Sequence, residues 1–209
     1  MDVSQTVKLG RKISILKTAY YSLKFRGFII VGKGTKFNLE KGARIVMTRG
    51  RFDIGVNFDL PQSAYLGISR NGTLVLDGHV HVLKGSVIVV KEDARLSVGS
   101  GSFFNEQSKV ICTHRISIGK NCLISWGVNI VDSDTHKMIV DGRASDPDKE
   151  VVIHDNVWIG ANAQILKGVS VGSWSVIGAG AVVTKDVPEH CLSCGNPSEV
   201  VRDRVSWAE

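Results

Sequence analysis

Proline and cysteine are both scarce, at 4 residues each in 209, and no uninterrupted apolar run is long enough for a membrane span. A bilayer crossing needs about 18 or more such residues. The best stretch, residues 13–31, is broken by Lys17, Lys24 and Arg26, and no small-residue cleavage site of a signal peptide follows it. Cysteines 112, 122, 191 and 194 are too few and too unevenly placed for a disulfide framework, so the cytoplasm is the expected compartment. Acidic residues are missing from one end: residues 1–51 hold 12 Lys/Arg against Asp2 and Glu40 alone. Residues 52–209 hold 14 Lys/Arg against 18 Asp/Glu, so the positive excess is an N-terminal property that suits an anionic surface or substrate. Nothing points to nucleic acid.

What the chain does have is glycine, 22 residues of it, and a period. An aliphatic residue recurs at every sixth position: Ile153, Ile159, Ile165, Val171, Ile177 and Val183. Four places behind each stands a small or β-branched residue: Val157, Ala163, Val169, Ser175, Ala181 and Val187. Neither a helix, with its 3.6-residue stripe, nor a plain strand, with period 2, repeats in sixes. A six-residue repeat requires a backbone that turns by one angle after each short strand, and stacked turns must share a core. The fold class is therefore all-β, a parallel β-helix.

Strand-and-corner segments extend the pattern upstream, at residues 29–32, 52–55, 74–77, 96–99, 116–119, 151–154 and 169–172. The apolar residues before these corners are 23, 22, 22, 20, 35 and 18 apart, which predicts seven turns, one carrying a long excursion. The Gly and Asp residues at the corners tolerate left-handed geometry. Three parts follow: a basic segment 1–28, the β-helix 29–188 with an excursion loop at 132–150, and a tail 189–209. The 3, 4, 3 spacing of Ile13, Leu16, Tyr20 and Leu23 predicts an amphipathic helix before the first turn. The tail is expected to be helical.

Two runs carry a resemblance: Val157-Trp158-Ile159-Gly160-Ala161-Asn162-Ala163, and residues 177–188 from Ile177-Gly178-Ala179-Gly180 to Lys185-Asp186-Val187-Pro188. With Gly195-Asn196-Pro197 they make the chain resemble the left-handed β-helix, hexapeptide-repeat acetyltransferases. The branch it looks most like holds the maltose and galactoside O-acetyltransferases and those of capsule and lipopolysaccharide biosynthesis. The likeness spans about residues 98–202; before that only the repeat is shared. It implies the left hand of the coil, a homotrimer with sites between subunits, and acetyl-CoA as co-substrate.

The resemblance also implies roles. His136, at the base of the excursion, matches a general-base histidine; a polar loop histidine is the plain alternative. An imidazole near neutral pH can take the proton of an attacking hydroxyl. Asp134 or Asp132 is expected to orient the ring, or else to be a solvated carboxylate. Asn105 matches an asparagine that donates to the developing oxyanion, with an inward structural ladder as the other option. Gly160, Ala161, Gly178 and Ala179 would border the pantetheine arm, or simply satisfy tight corners. Lys185 and Arg202 match positive positions beside the coenzyme phosphates, with Thr184 as a polar contact, whereas Glu199 stands where the family has a second tail arginine. Trp158 suits a structural or subunit contact, and His79-x-His81 is expected to send its rings to opposite faces. No metal is expected, and Cys191-x-x-Cys194 lacks a second ligand pair.

Together these lead to an O-acetyltransferase acting on a sugar hydroxyl of a surface glycan or its precursor. An antibiotic acetyltransferase, a zinc hydratase of the γ-carbonic-anhydrase type and a non-catalytic scaffold are the alternatives. The basic N-terminal segment adds a peripheral contact with anionic lipid of the inner membrane, or else packs on the first turn or a neighbouring subunit.

Overall fold

Buried side chains at the hexad positions, all apolar but Ser175, close a triangular coil. The computed structural model describes residues 13–56 and 62–208. All twelve hexad residues from Ile153 to Val187 lie inside it, none more than 4% exposed. Among the described residues three sheets form the sides, of nine, seven and six strands, here sheets I, II and III, parallel except for the last strand of sheet I. Each turn visits I, II and III in that order. Inward residues stack in register: Ile124, Ile159 and Ile177 on sheet I, Ile130, Ile165 and Val183 on sheet II, Ile118, Ile153 and Val171 on sheet III.

Seven turns are built, and an eighth begins with the strand Leu192–Gly195 on sheet I. The spacing of one turn differs from the sequence expectation. Ile54 pairs with Val82 and Met47 with Leu76, so Ile54 and Leu76 stand on different sheets. That second turn is lengthened by the connection at residues 56–63, of which 57–61 lie outside the described residues.

Corner chemistry also divides more finely than expected. The left-handed residues of one edge include Asn121, Asn156, Trp174 and His190, at φ 52°, 57°, 63° and 56°. Gly119, two residues before Asn121, is needed for space: a Cβ there would sit 2.7 Å from the Asp155 nitrogen of the next turn. His79 and His81 flank the inward Val80, so they share the outer side, because residues two apart on a strand face the same way. The His81 Nδ1 lies 3.0 Å from Asp53.

Helix α1, Ile15–Lys24, sits across the start of the coil. The predicted helix is present, and its apolar stripe faces outward. Leu16, Tyr20 and Leu23 are exposed, while Tyr21 stacks on Phe37 at 3.9 Å between ring centroids. The hydroxyls face inward because the first strand has an open edge to satisfy. Thr18 Oγ1 accepts from the Val31 N–H, and Ser22 Oγ accepts from the Ile29 N–H, each at 3.0 Å. The tail forms a second strand, Ser198–Arg202, antiparallel to Leu192–Gly195, instead of a helix. That strand completes the hydrogen bonds of the last coil edge. Trp207 then folds back, its indole N–H donating to the Asn156 carbonyl at 2.7 Å.

Candidate active site

Two edges of the prism hold the candidate residues. On the edge between sheets I and II, backbone N–H groups of Asn105, Ser125, Gly160 and Gly178 each bond to a carbonyl of the next turn at 2.8–3.0 Å. These four therefore stand in one column. Beside it runs a second column of Glu106, Trp126, Ala161 and Ala179. Asn105 Oδ1 accepts from the Glu106 N–H at 2.8 Å, so what its amide offers an incoming ligand is Nδ2.

The glycines of this edge answer to stacking. A Cβ on Gly160 would meet the Ala179 nitrogen at 2.6 Å, and one on Gly178 the Cys194 Sγ at 2.5 Å. The low profile of the edge is left to Ala161, Ala179 and Gly180, where a Cβ on Gly180 would meet nothing within 4 Å. Trp126, 56% exposed, rises among them. Sequence reasoning passed over this indole, although a tryptophan at a corner position otherwise filled by small residues was the available signal.

The second edge, between sheets II and III, holds the excursion. Asp132 is fully buried at its root, its two oxygens accepting from the Thr113 and His114 N–H groups at 2.7 and 2.8 Å. The loop leaves as Ser133–His136, carries a small hairpin of Ile139–Val140 with Arg143–Ala144, and returns through a Lys149 N–H to Asp132 O bond of 2.9 Å. Lys167, on the next turn, ties both limbs: its Nζ lies 2.6 Å from Asp134 and 2.7 Å from the Asp146 carbonyl. The carboxylate expected to orient His136 thus faces a lysine. His136 itself is exposed. A groove of about 660 Å³ at the root of the excursion is bordered by Thr113, Ser133, Thr135 and Asp148 and by Glu40, Lys91 and Glu92 of earlier turns; His136 does not line it.

The structure does not bring Asn105 and His136 together in one chain. They stand at opposite borders of sheet II, whose strand Lys109–Cys112 spans about 13 Å at ~3.3 Å per residue. Thr184 and Lys185 lie on the His136 edge, and Arg202 on the tail strand. Lys185 Nζ is 3.4 Å from Glu199, so the residue that departs from the family pattern sits against one of the candidate phosphate ligands. Among the described residues no group of three or more His, Cys, Asp or Glu is placed to hold a metal ion.

Cys112 and Cys122 fill inward positions. Burial pushes the Cys122 thiol up to about 11, and burial plus the Asp132 charge pushes Cys112 higher still.

The triangular coil of stacked parallel strands defines the class: a left-handed β-helix. A family model described as bacterial transferase hexapeptide (six repeats) matches residues 150–185. The galactoside O-acetyltransferase of Lactococcus lactis is 36% identical over 107 residues, 50% of this chain and 51% of that protein. The polysialic acid O-acetyltransferase of Escherichia coli O1:K1 is 35% identical over 146 residues, 69% of this chain and 45% of that one. The chain thus spans about half the length of the curated relatives it matches. The crystal structure of the polySia-specific acetyltransferase NeuO aligns with a TM-score of 0.60 at 28% identity, covering 84% of this chain and 89% of that one. The polysialic acid O-acetyltransferase OatWY shares the fold, with a TM-score of 0.62 at 23% identity and 87% of each chain covered. The chain thus carries the bacterial transferase hexapeptide repeat and is similar to these sugar O-acetyltransferases.

Proposed function

We propose that this protein transfers an acetyl group from acetyl-CoA to a sugar hydroxyl of a surface polysaccharide or its precursor. The observation that carries the reading is the His136 excursion, rooted through Asp132 and Lys167 on a coil whose neighbouring edge bears Asn105 and a low small-residue column. The names of the galactoside and polysialic acid O-acetyltransferases support a sugar acceptor. His136 takes the proton of the attacking hydroxyl and returns it to the departing thiolate. Asn105 Nδ2 donates to the charge that develops on the carbonyl oxygen, a role worth about 3 kcal/mol where geometry is right. Asp134 acts through Lys167 to hold the loop.

Acetyl-CoA supplies the activated acyl group. Ala161 and Ala179, with Gly160 and Gly178 fixing the backbone beneath, fit a narrow arm along the edge. Thr184, Lys185 and Arg202 fit its phosphates, with Glu199 weakening the clamp by neutralising Lys185. Because Asn105 and His136 stand at opposite borders of sheet II, a complete site needs a second subunit. The half-buried outward stripe Val89–Ile111–Val131, on successive turns of sheet II, supports such packing in a homotrimer. The protein acts in the cytoplasm, its basic N-terminal end touching anionic lipid of the inner membrane reversibly.

The test is transfer of labelled acetyl groups from acetyl-CoA to a panel of soluble galactosides, maltosides and oligosialic acids. We expect turnover on at least one of them, and His136→Ala to lose at least about 100-fold in kcat while keeping the wild-type fold by circular dichroism. A near-normal rate in that variant overturns the base assignment. Absence of transfer to any carbohydrate by the wild type overturns the acceptor class.

A further inference from the structure

Helix α1 turns its oily side away from the protein. Ile15, Leu16, Tyr20 and Leu23 are 74, 86, 57 and 83% exposed. With the exposed Ala19 they occupy positions i, i+1, i+4, i+5 and i+8, which form one continuous face. The opposite face, Thr18, Tyr21 and Ser22, is spent on the first strand and Phe37. A water-facing helix ordinarily shows the reverse, and a contiguous apolar patch of this kind marks a contact surface.

Charge says what the contact is with. No acidic residue occurs between Asp2 and Glu40. Lys24, Arg26, Lys33 and Lys36 are exposed around the same end, and Lys24 Nζ hovers 5.7 Å from the Tyr20 ring centroid. A second copy of this face would bring the same cations together, so self-docking is disfavoured. A surface that is anionic outside and apolar just beneath is complementary to both features. At ten residues α1 is about 15 Å long, too short to cross a bilayer but long enough to lie in its headgroup layer.

We propose that the outward face of α1 docks in the plane of an anionic lipid bilayer, with Leu16, Tyr20 and Leu23 entering the acyl boundary and Lys24 and Arg26 meeting phosphates. This deepens the lipid contact of the preceding reading, from charge attraction alone to insertion, and is independent of which sugar is acetylated.

The test is co-sedimentation of the full chain with phosphatidylcholine vesicles, with and without phosphatidylglycerol, at low and high salt. The wild type is expected to pellet with the anionic vesicles at low salt and to leave them at high salt. Leu16→Ser/Leu23→Ser should lower the partition at least about tenfold, and Lys24→Gln/Arg26→Gln should remove most of the salt-sensitive part. Wild-type protein that stays in the supernatant with anionic vesicles overturns the proposal. So does a serine double variant that binds as the wild type does. A smaller assembly in that variant by sedimentation velocity would reassign the face to a protein contact. Acetyl transfer to a soluble acceptor, measured on the same variants, is expected to be unchanged, so loss of docking and failure of the enzymatic reading are seen separately. A fall in that rate would instead place α1 in the acceptor site and overturn the proposal.

Discussion

At the scale of single residues, Lys167 organises more of the excursion than any carboxylate within it. Its ammonium meets Asp134 and the Asp146 carbonyl, one on each limb, and its side chain is only 15% exposed. Replacing it with methionine keeps the bulk but releases both limbs. On the role proposed for His136, displacing the loop is costly, since misplacement by about 1 Å can cost up to 100-fold. Lys167→Met is therefore expected to lower kcat at least about tenfold and to speed tryptic cleavage after Lys137 and Arg143. Unaltered cleavage would show that Lys167 is not the tether. This arrangement was not legible in the sequence. Asp132, Asp134 and His136 announce a polar loop, but the lysine that sorts them lies a turn away, and only the register between turns brings it near. Asp132 and Asp134 look alike in the sequence and have opposite surroundings, one sealed by two backbone N–H groups and the other on the outside.

Among the elements, the hexads between 153 and 187 were legible because six-residue spacing admits few geometries, and every inward position they named is buried. Elements lacking that constraint were less legible. Leu16, Tyr20 and Leu23 make a proper helical stripe, but periodicity does not say which face meets the protein; the unpaired edge of the first strand chose the hydroxyls of Thr18 and Ser22. The tail became a strand because a last coil edge needs partners. Stacking also grades the glycines. Gly160→Ala would press on backbone atoms, Ala179 N at 2.6 Å and Ile177 O at 2.8 Å, and is expected to cost about 1–3 kcal/mol in urea unfolding. Gly178→Ala meets a side-chain sulfur that can rotate away. Its loss should be smaller, and Cys194→Ala should recover part of it.

For the whole molecule, the interior sets a response to alkali. The folded protein favours the protonated thiol of Cys122, which titrates near 11 instead of 9.0. Stability is therefore fully present below pH 9 and is lost as pH rises toward 11, because the unfolded chain releases that proton first. Two pH units correspond to roughly 2–3 kcal/mol. The thermal midpoint should stay level below pH 9 and fall between 9 and 11; Cys112, pushed higher still, adds to the fall, so Cys122→Ala should lessen the decline without abolishing it. A thiol reagent at pH 8 should find the half-exposed Cys194 first and Cys112 and Cys122 only on unfolding.

A parallel coil has no intrinsic last storey; each finished level is a template for another, in the same molecule or the next one. Here a helix closes the lower landing and an antiparallel ribbon the upper, so growth stops at both floors without any change to the levels between. New levels, or longer balconies such as the one bearing His136, can then be inserted mid-tower while the particle remains discrete.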